Sequence, residues 1–163
     1  MFWYVFYTAP RAEKVVCKNL VGKNYNVFLP TTKILREWKN RQKKWIEQVL
    51  FPSYIFVNTE EYELYNIVRI PKIAAFIKCG SKPSTIPVKD IEAIKKMISL
   101  DKEVSVEHNF IVGESVRINK GPLMGYEGIL VKQKGGTKFG IQLKDINHTV
   151  LINVCTSLIE KIK

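Results

Sequence analysis

The sequence predicts an α+β protein, with helices and longer strands first and a small β-barrel at the end. Through the first hundred residues, aromatic or β-branched runs alternate with amphipathic stretches at helical spacing. From residue 113 onward the chain holds seven of its nine glycines, with short apolar runs between them. Short strands between glycine turns are typical of a small barrel. We therefore expect one domain at 1–102, a linker at 103–111 and a second domain at 112–163.

The first domain is expected to open with a strand–helix–strand unit. Phe2–Tyr7 is rich in aromatic residues and predicts a central strand. A helix should follow, with Thr8 as its N-cap and Gly22 just after its last turn. Tyr25–Pro30 then predicts a second strand. The apolar positions that recur at helical spacing are Ala12, Val15, Val16 and Leu20.

The stretch Leu50–Val57 is the segment around which this domain is organised. It is aromatic and β-branched after Pro52, so it predicts a strand buried on both faces. Pro52 cannot donate a ladder hydrogen bond and therefore marks the entry of the strand. The remaining elements expected in this domain are a helix over 60–69, a strand over 73–77 and a helix over 88–100.

A strongly basic hairpin is predicted just before that stretch. Thr32–Trp38 and Trp45–Leu50 form its two strands, and residues 31–50 hold six Lys or Arg against two Glu. Such a tip suits nucleic-acid phosphates, and Trp38 and Trp45 beside it suit stacking on an unpaired base. A solvated charge run with two tryptophans closing the hairpin explains the same residues equally well.

The second domain is expected to contain strands and no helix. Its glycines and β-branched residues disfavour helix interiors. The four predicted strands are Ser115–Ile118, Gly128–Lys132, Phe139–Leu143 and Val150–Val154.

Composition narrows the class of protein. A net charge of +11 and a pI near 9.6 favour a polyanionic neighbour. The three cysteines, Cys17, Cys79 and Cys155, lie far apart and predict reduced thiols in a cytoplasmic protein. His108 and His148 lack a catalytic or metal-ligand arrangement, and no phosphate-binding loop is present. We expect a monomer that is not an enzyme, uses no cofactor or metal and does not enter a membrane.

Three segments together resemble the NusG family of transcription elongation factors. They are Trp3-Tyr4-Val5, the run Phe51–Val57, and Val116–Gly128, which matches a KOW motif in its strand, Gly-Pro turn, aromatic and final glycine. The resemblance implies an N-terminal NGN domain, an α/β sandwich of an antiparallel sheet with flanking helices. It also implies a C-terminal KOW domain, a small SH3-like barrel. The form Leu-Phe-Pro-x-Tyr-Ile-Phe-Val is similar to specialised RfaH- and UpxY-type members.

The resemblance also implies a function. Family members act in transcription elongation and antitermination: the NGN domain docks on the clamp helices of RNA polymerase and suppresses pausing. The KOW domain recruits a ribosomal protein or Rho. By motif position, the residues implied in polymerase binding are Phe51, Tyr54 and Tyr7. Those implied at the DNA of the elongation complex are Lys39, Arg41, Lys43 and Lys44, and those implied in KOW partner binding are Leu123 and Tyr126, for which turn packing is an equal alternative.

Two other functions remain open on the sequence. A ribosome-associated KOW-type RNA-binding protein explains the barrel and the charge, but leaves the long α/β part without a purpose. A protein–protein adaptor that contacts no nucleic acid predicts partner binding that is insensitive to salt and unaffected by neutralising Lys39, Arg41, Lys43 and Lys44. The polymerase-docking function differs from the ribosomal one because it requires Phe51 and Tyr54 to be exposed.

Overall fold

The computed structural model describes residues 1–100, 102–107, 113–133 and 136–162. It divides the chain into two compact units, Met1–Thr85 and Ile86–Lys163. The expected α+β class, with an N-terminal α/β part and a C-terminal β part, is confirmed. No helix in the described part of the chain is long and apolar enough to span a membrane.

The first unit contains the predicted strand–helix–strand opening, the hairpin and the strand after Pro52. Its elements are β1 (Phe2–Thr8), α1 (Glu13–Gly22), β2 (Asn26–Phe28), β3 (Thr31–Glu37), β4 (Lys43–Val49), β5 (Tyr54–Thr59), a 3-10 turn (Glu61–Glu63), α2 (Leu64–Val68), β6 (Ile73–Phe76), β7 (Lys78–Cys79) and β8 (Lys82–Pro83). The two-residue strand β9 (Thr85–Ile86) spans the division between the units.

The main sheet of this unit has antiparallel strands in the order β2-β5-β1-β6. Strand side chains alternate between its two faces. One face carries Tyr4, Phe6, Ile55 and Val57, which form a core with residues of α1 and α2 such as Leu20 and Ile67. Each fully buried side chain of this kind contributes about 1.5–3 kcal/mol relative to an exposed one. The periodic apolar residues therefore hold both helices on one side of the sheet.

The opposite face carries a series of aromatic rings in edge or tilted contacts. Ring centroids lie 6.3 Å apart for Trp3 and Phe28, 6.1 Å for Phe28 and Phe56, and 5.4 Å for Phe56 and Phe51. These separations are those preferred by aromatic pairs. The series ends at Phe51, beside the Pro52 turn.

The expected N-cap of α1 was wrong. Thr8 is the last residue of β1, and its N–H donates to the Ser53 carbonyl at 2.9 Å. The chain then turns through Arg11, which has a left-handed φ of 62°, and Ala12 occupies the N-cap position. Strand pairing therefore outcompeted the local capping preference of Thr8.

In its described residues, the second unit is a six-stranded antiparallel sheet with one α-helix. Its strand order is β10-β14-β13-β12-β11-β15, and the helix α3 contacts β13. The elements are α3 (Val88–Ser99), β10 (Val104–Glu107), β11 (Glu114–Ile118), β12 (Glu127–Gln133), β13 (Gly136–Leu143), a 3-10 turn (Lys144–Ile146), β14 (His148–Asn153), a 3-10 turn (Thr156–Leu158) and β15 (Ile159–Lys161). All four strands predicted for this part are present.

Two strands of this sheet were not predicted. β10 lies inside the expected linker 103–111 and pairs with β14, which follows it by some forty residues. β15 pairs with β11, and Arg117 forms ion pairs with Glu127 and Glu160 across these strands. Both strands are short and partly charged, so their own residues do not indicate a strand. They are recognised only by their pairing with strands that lie far from them in the sequence. Residues 108–112, including His108, lie outside the described residues.

Candidate functional site

Tyr7 and Tyr54 form an aromatic pair at one end of the main sheet. They are opposite each other in the β1–β5 register, so their side chains share a face. Their ring centroids are 5.0 Å apart, at an angle of 46°. Tyr7 is 41% exposed, whereas Tyr54 is half-buried. Burial, followed by hydrogen bonding to Tyr7, raises the pKa of Tyr54 to about 12, so the Tyr54 hydroxyl is neutral at physiological pH.

A tight turn before β5 sets the position of this pair. The Tyr54 N–H donates to the Phe51 carbonyl at 3.0 Å, and Ser53 has a left-handed φ of 67°. This is the geometry of a type II turn with Pro52 at its second position. The buried carboxylate of Glu13 accepts a hydrogen bond from the Ser53 N–H at 2.7 Å. The turn is thereby joined to the first turn of α1.

Phe51 does not lie on this exposed surface. Its side chain is fully buried and packs edge-on against Phe56. The expectation that Phe51 is exposed was wrong, because its ring packs against Phe56 on the aromatic face of the sheet and is fully covered there. Of the three residues implied in polymerase binding, Tyr7 and Tyr54 are therefore brought together at the surface, and Phe51 lies in the core.

The base of the basic hairpin is held to the rest of its unit by polar contacts. The Thr31 hydroxyl donates to Glu47 Oε1 at 2.7 Å, and Lys14 Nζ of α1 lies 3.5 Å from Glu47 Oε2. The hydrogen bond from Thr31, with Lys14 nearby, lowers the pKa of Glu47. The Leu50 N–H also donates to the Pro30 carbonyl at 2.9 Å. These contacts fix where the hairpin leaves the unit.

The tip of the hairpin is a five-residue connection, Trp38–Gln42. The Arg41 N–H donates to the Trp38 carbonyl, the Trp38 N–H donates to the Gln42 carbonyl, and Arg41 has a φ of 63°. This left-handed position after a type I turn usually holds glycine. The four cations implied in nucleic-acid binding, Lys39, Arg41, Lys43 and Lys44, are all exposed.

The two strands of the hairpin divide its side chains between two faces. Leu35 is opposite Trp45, so they form an apolar pair on one face, and Trp45 is 69% exposed. Arg36 is opposite Lys44 on the other face. The sequence identified the charged tip, but the pairing of Leu35 with Trp45 depends on the register, which was not predicted.

The turn between β11 and β12 is the third candidate surface. Leu123 is buried and closes the turn, which is the position expected from the turn-packing alternative. Tyr126 is half-buried, and Met124, which sequence reasoning missed, is 66% exposed. Met124 and Tyr126 line a cavity of about 470 Å³ together with Lys89, Asp90 and Ile141. Burial raises the pKa of the Asp90 carboxyl there.

The described residues contain no group of three His, Cys, Asp or Glu side chains able to hold a metal ion. His148 is buried, and its Nδ1 contacts the Ile146 carbonyl. The three candidate surfaces instead present aromatic rings, exposed cations and a small cavity. These features are typical of a protein that acts by binding partners.

Comparison with known proteins identifies the family of this binding protein. Residues 1–95 match the family model described as transcription termination factor nusG. The chain belongs to the NusG family, as the sequence predicted. It is accordingly a transcription termination/antitermination factor and not an enzyme.

Individual relatives span nearly the whole chain. The chain is 27% identical to the transcription termination/antitermination protein NusG of Campylobacter jejuni, over 98% of this chain and 97% of that protein. It is 31% identical to NusG of Streptococcus pyogenes, over 80% of this chain and 79% of that one. A solved structure of Thermotoga maritima NusG, described for its domain interaction, has a TM-score of 0.55 at 21% identity, covering 99% of this chain and 97% of that chain.

Proposed function

We propose that this protein docks on RNA polymerase through Tyr7 and Tyr54 and thereby regulates elongation and termination. The observation that carries this proposal is the tyrosine pair, with Tyr7 exposed and Tyr54 half-buried beside it, held by strand register and the Pro52 turn at one end of the main sheet. Tyrosines placed in this way are common anchors at protein interfaces, because they combine a large apolar ring with a polar hydroxyl.

The partner that fits this pair is a helical surface of the polymerase, such as the clamp helices that the family resemblance implies. Because β1 and β5 are central strands, the pair costs little conformational entropy to order on binding. Phe51 contributes indirectly, since its buried ring packs against Phe56 in the strand that carries Tyr54.

The basic hairpin would contact the DNA of the elongation complex. Its exposed cations face few acids, so phosphate contacts would add affinity that carries no sequence information. The Leu35–Trp45 face would lie against an unpaired base.

The second unit would recruit a further factor, a ribosomal protein or Rho, through Met124 and Tyr126. An exposed methionine beside a half-buried tyrosine at a cavity is an adaptable apolar contact. Tethering this contact to a polymerase-bound unit would raise the effective concentration of the recruited factor. The sequence suggests the domain limits 1–102 and 112–163 for these two activities, whereas the compact units divide after Thr85 and place α3, with Lys89 and Asp90, in the recruiting unit.

Capture of core RNA polymerase tests the docking surface. We expect the Tyr7→Ala/Tyr54→Ala double variant to retain less than about a tenth of the polymerase held by the unchanged chain, since each anchor contributes on the order of 1–2 kcal/mol. Tyr62→Ala is the matched control, because Tyr62 is 76% exposed in the same unit and outside the pair. Equal capture by a folded double variant and this control would disprove the docking role of the pair.

Arg41→Gly tests the hairpin. Glycine suits the left-handed φ of Arg41, so we expect unchanged or slightly higher stability together with the loss of one cation. Titration of a duplex DNA at several salt concentrations should show a plot of log K against log salt whose negative slope is shallower by about 0.9 than that of the unchanged chain. Lys23→Gln, which removes an exposed cation just after α1, should leave the slope unchanged. Equal slopes for the two variants would count against DNA contact at the tip.

A further inference from the structure

A buried carboxylate lies behind the turn that carries Tyr54. Glu13 is only 6% exposed, and its Oε1 accepts a hydrogen bond from the Ser53 N–H at 2.7 Å. Hydrogen bonds to a charged group are stronger than those between neutral groups. A glutamate in the first turn of a helix also favours the helix dipole, but it can do so from an exposed position. The burial of Glu13 therefore points to its contact with the turn.

The turn that Glu13 contacts has an unfavourable residue at its third position. A type II turn requires a positive φ there, which glycine adopts without a steric penalty. Ser53 occupies this position with a φ of 67°. Its Cβ atom makes the left-handed conformation less favourable than it is for glycine. A contact from elsewhere in the fold is therefore needed to hold the turn in place.

The backbone of Ser53 is held from both sides. Its N–H donates to Glu13 of α1, and its carbonyl accepts a hydrogen bond from the Thr8 N–H at 2.9 Å. Thr8 directly follows Tyr7 in β1. Ser53 directly precedes Tyr54 in the chain. The two hydrogen bonds therefore fix the backbone next to each ring of the tyrosine pair.

Glu13 can act as a fixed support because α1 is anchored in the core. Val16 and Leu20 of this helix are fully buried and pack among side chains of the main sheet. The Val16 N–H also donates to the carbonyl of Ala12, the residue before Glu13, at 2.9 Å. Displacement of Glu13 would therefore disturb the packing of the helix on the sheet.

We propose that Glu13 is a positioning residue for partner binding: its carboxylate holds Ser53 in the left-handed conformation and so keeps the tyrosine pair ordered. This inference rests on the proposed docking role of the pair and adds the residue that orders it before binding. A surface that is already ordered loses less conformational entropy when it binds. Because Glu13 is buried, it acts through Ser53 and not by touching the partner.

Lys14, the next residue of α1, provides a matched control. Lys14 Nζ lies 3.5 Å from Glu47 Oε2 and donates to the Glu47 carbonyl at 3.2 Å. Within the described part of the chain, its polar contacts are thus with the base of the hairpin. Lys14→Gln removes a polar contact at the same end of the same helix and leaves the contact with Ser53 in place.

Two substitutions of Glu13 separate the contact with Ser53 from the charge at the helix terminus. Glu13→Asp keeps the charge but is one methylene too short to reach the Ser53 N–H. Glu13→Gln keeps an oxygen acceptor at the right length but removes the charge. Positioning requires Glu13→Asp to be the more harmful change, whereas a role limited to the helix dipole requires Glu13→Gln to be so.

The first measurement is amide hydrogen exchange and ring–ring cross-peaks in NMR spectra of the full chain, without polymerase. We expect Glu13→Asp to speed exchange of the Ser53 amide at least about tenfold, because its hydrogen bond is lost. The cross-peaks between Tyr7 and Tyr54, whose ring centroids are 5.0 Å apart, should weaken as well. Glu13→Gln and Lys14→Gln should retain both signals.

The second measurement is capture of core RNA polymerase. Glu13→Asp should weaken binding at least about 5-fold. In a Ser53→Gly background the same change should cost less than about 2-fold, since glycine adopts the positive φ without support. Added to Tyr7→Ala/Tyr54→Ala, it should cause no further loss, because the positioned rings are already absent.

Unchanged exchange of the Ser53 amide in Glu13→Asp would overturn the proposal, as would an equal loss of capture with and without Ser53→Gly. If Glu13→Asp fails to fold, Glu13→Gln decides the question: loss of Ser53 protection in that variant overturns the proposal and its retention supports it. If the NMR changes occur but no variant alters capture, Glu13 does position the tyrosine pair, and the docking role of the pair is what fails.

Discussion

Phe51→Ala is expected to lower the free energy of unfolding of the first unit by about 3–5 kcal/mol. The Phe51 ring is fully buried and ends the aromatic series on one face of the sheet, with its centroid 5.4 Å from that of Phe56. Truncation removes the transfer free energy of the ring, leaves a cavity and deletes an edge-on contact of about 0.5–1.5 kcal/mol.

Urea unfolding followed by far-UV circular dichroism measures this loss. Tyr62→Ala serves as the control and should change the free energy by no more than about 0.5 kcal/mol, because its side chain is exposed. A cost below about 1 kcal/mol for Phe51→Ala would show that the ring is not part of the core. Because this loss of stability is large, reduced polymerase capture by Phe51→Ala alone would not distinguish unfolding of the first unit from loss of a docking contact.

Gly128→Ala is expected to destabilise the second unit by about 3 kcal/mol or more. A Cβ atom on Gly128 would lie 2.3 Å from the Gly140 carbonyl oxygen and 2.8 Å from the Phe139 ring. The backbone oxygen belongs to the adjacent strand, so it can move only if β12 and β13 separate. Phe139 is fully buried and has no space to turn away.

Thermal unfolding of the full chain, with the second unit followed by amide hydrogen exchange, measures this effect. The same substitution at Gly22 provides a control of opposite sign. Gly22 ends α1 at an ordinary φ and has open space around it, so Gly22→Ala should stabilise the first unit by up to about 1 kcal/mol. Unchanged exchange protection in β12 and β13 of the Gly128→Ala variant would contradict the close approach of these strands.

The glycine pattern predicted the strand-rich second unit, but it did not explain why glycine is required at position 128. Its place in the KOW motif marked it as part of the turn and strand. Only the structure shows that the position must lack a side chain because Phe139 and the Gly140 backbone occupy the space. A contact between adjacent strands is set by register, and the local sequence does not carry it.

The candidate sites also divide into features that the local sequence shows and features that depend on tertiary contacts. The charged tip of the hairpin is a local property, so counting residues located it. The contact between Tyr7 and Tyr54, in contrast, depends on the register between β1 and β5, which lie far apart in the sequence.

The sequence by itself determined the α+β class, the main helices, the hairpin and the family, because these depend on hydrophobic periodicity, turn residues and motifs that are local in the chain. The tertiary structure decided which aromatic residues reach the surface. Phe51 and Tyr54 look alike in the sequence, yet the turn between them buries one ring and presents the other beside Tyr7. The physical reason is that burial depends on what packs against a side chain, and those neighbours are brought together only by folding.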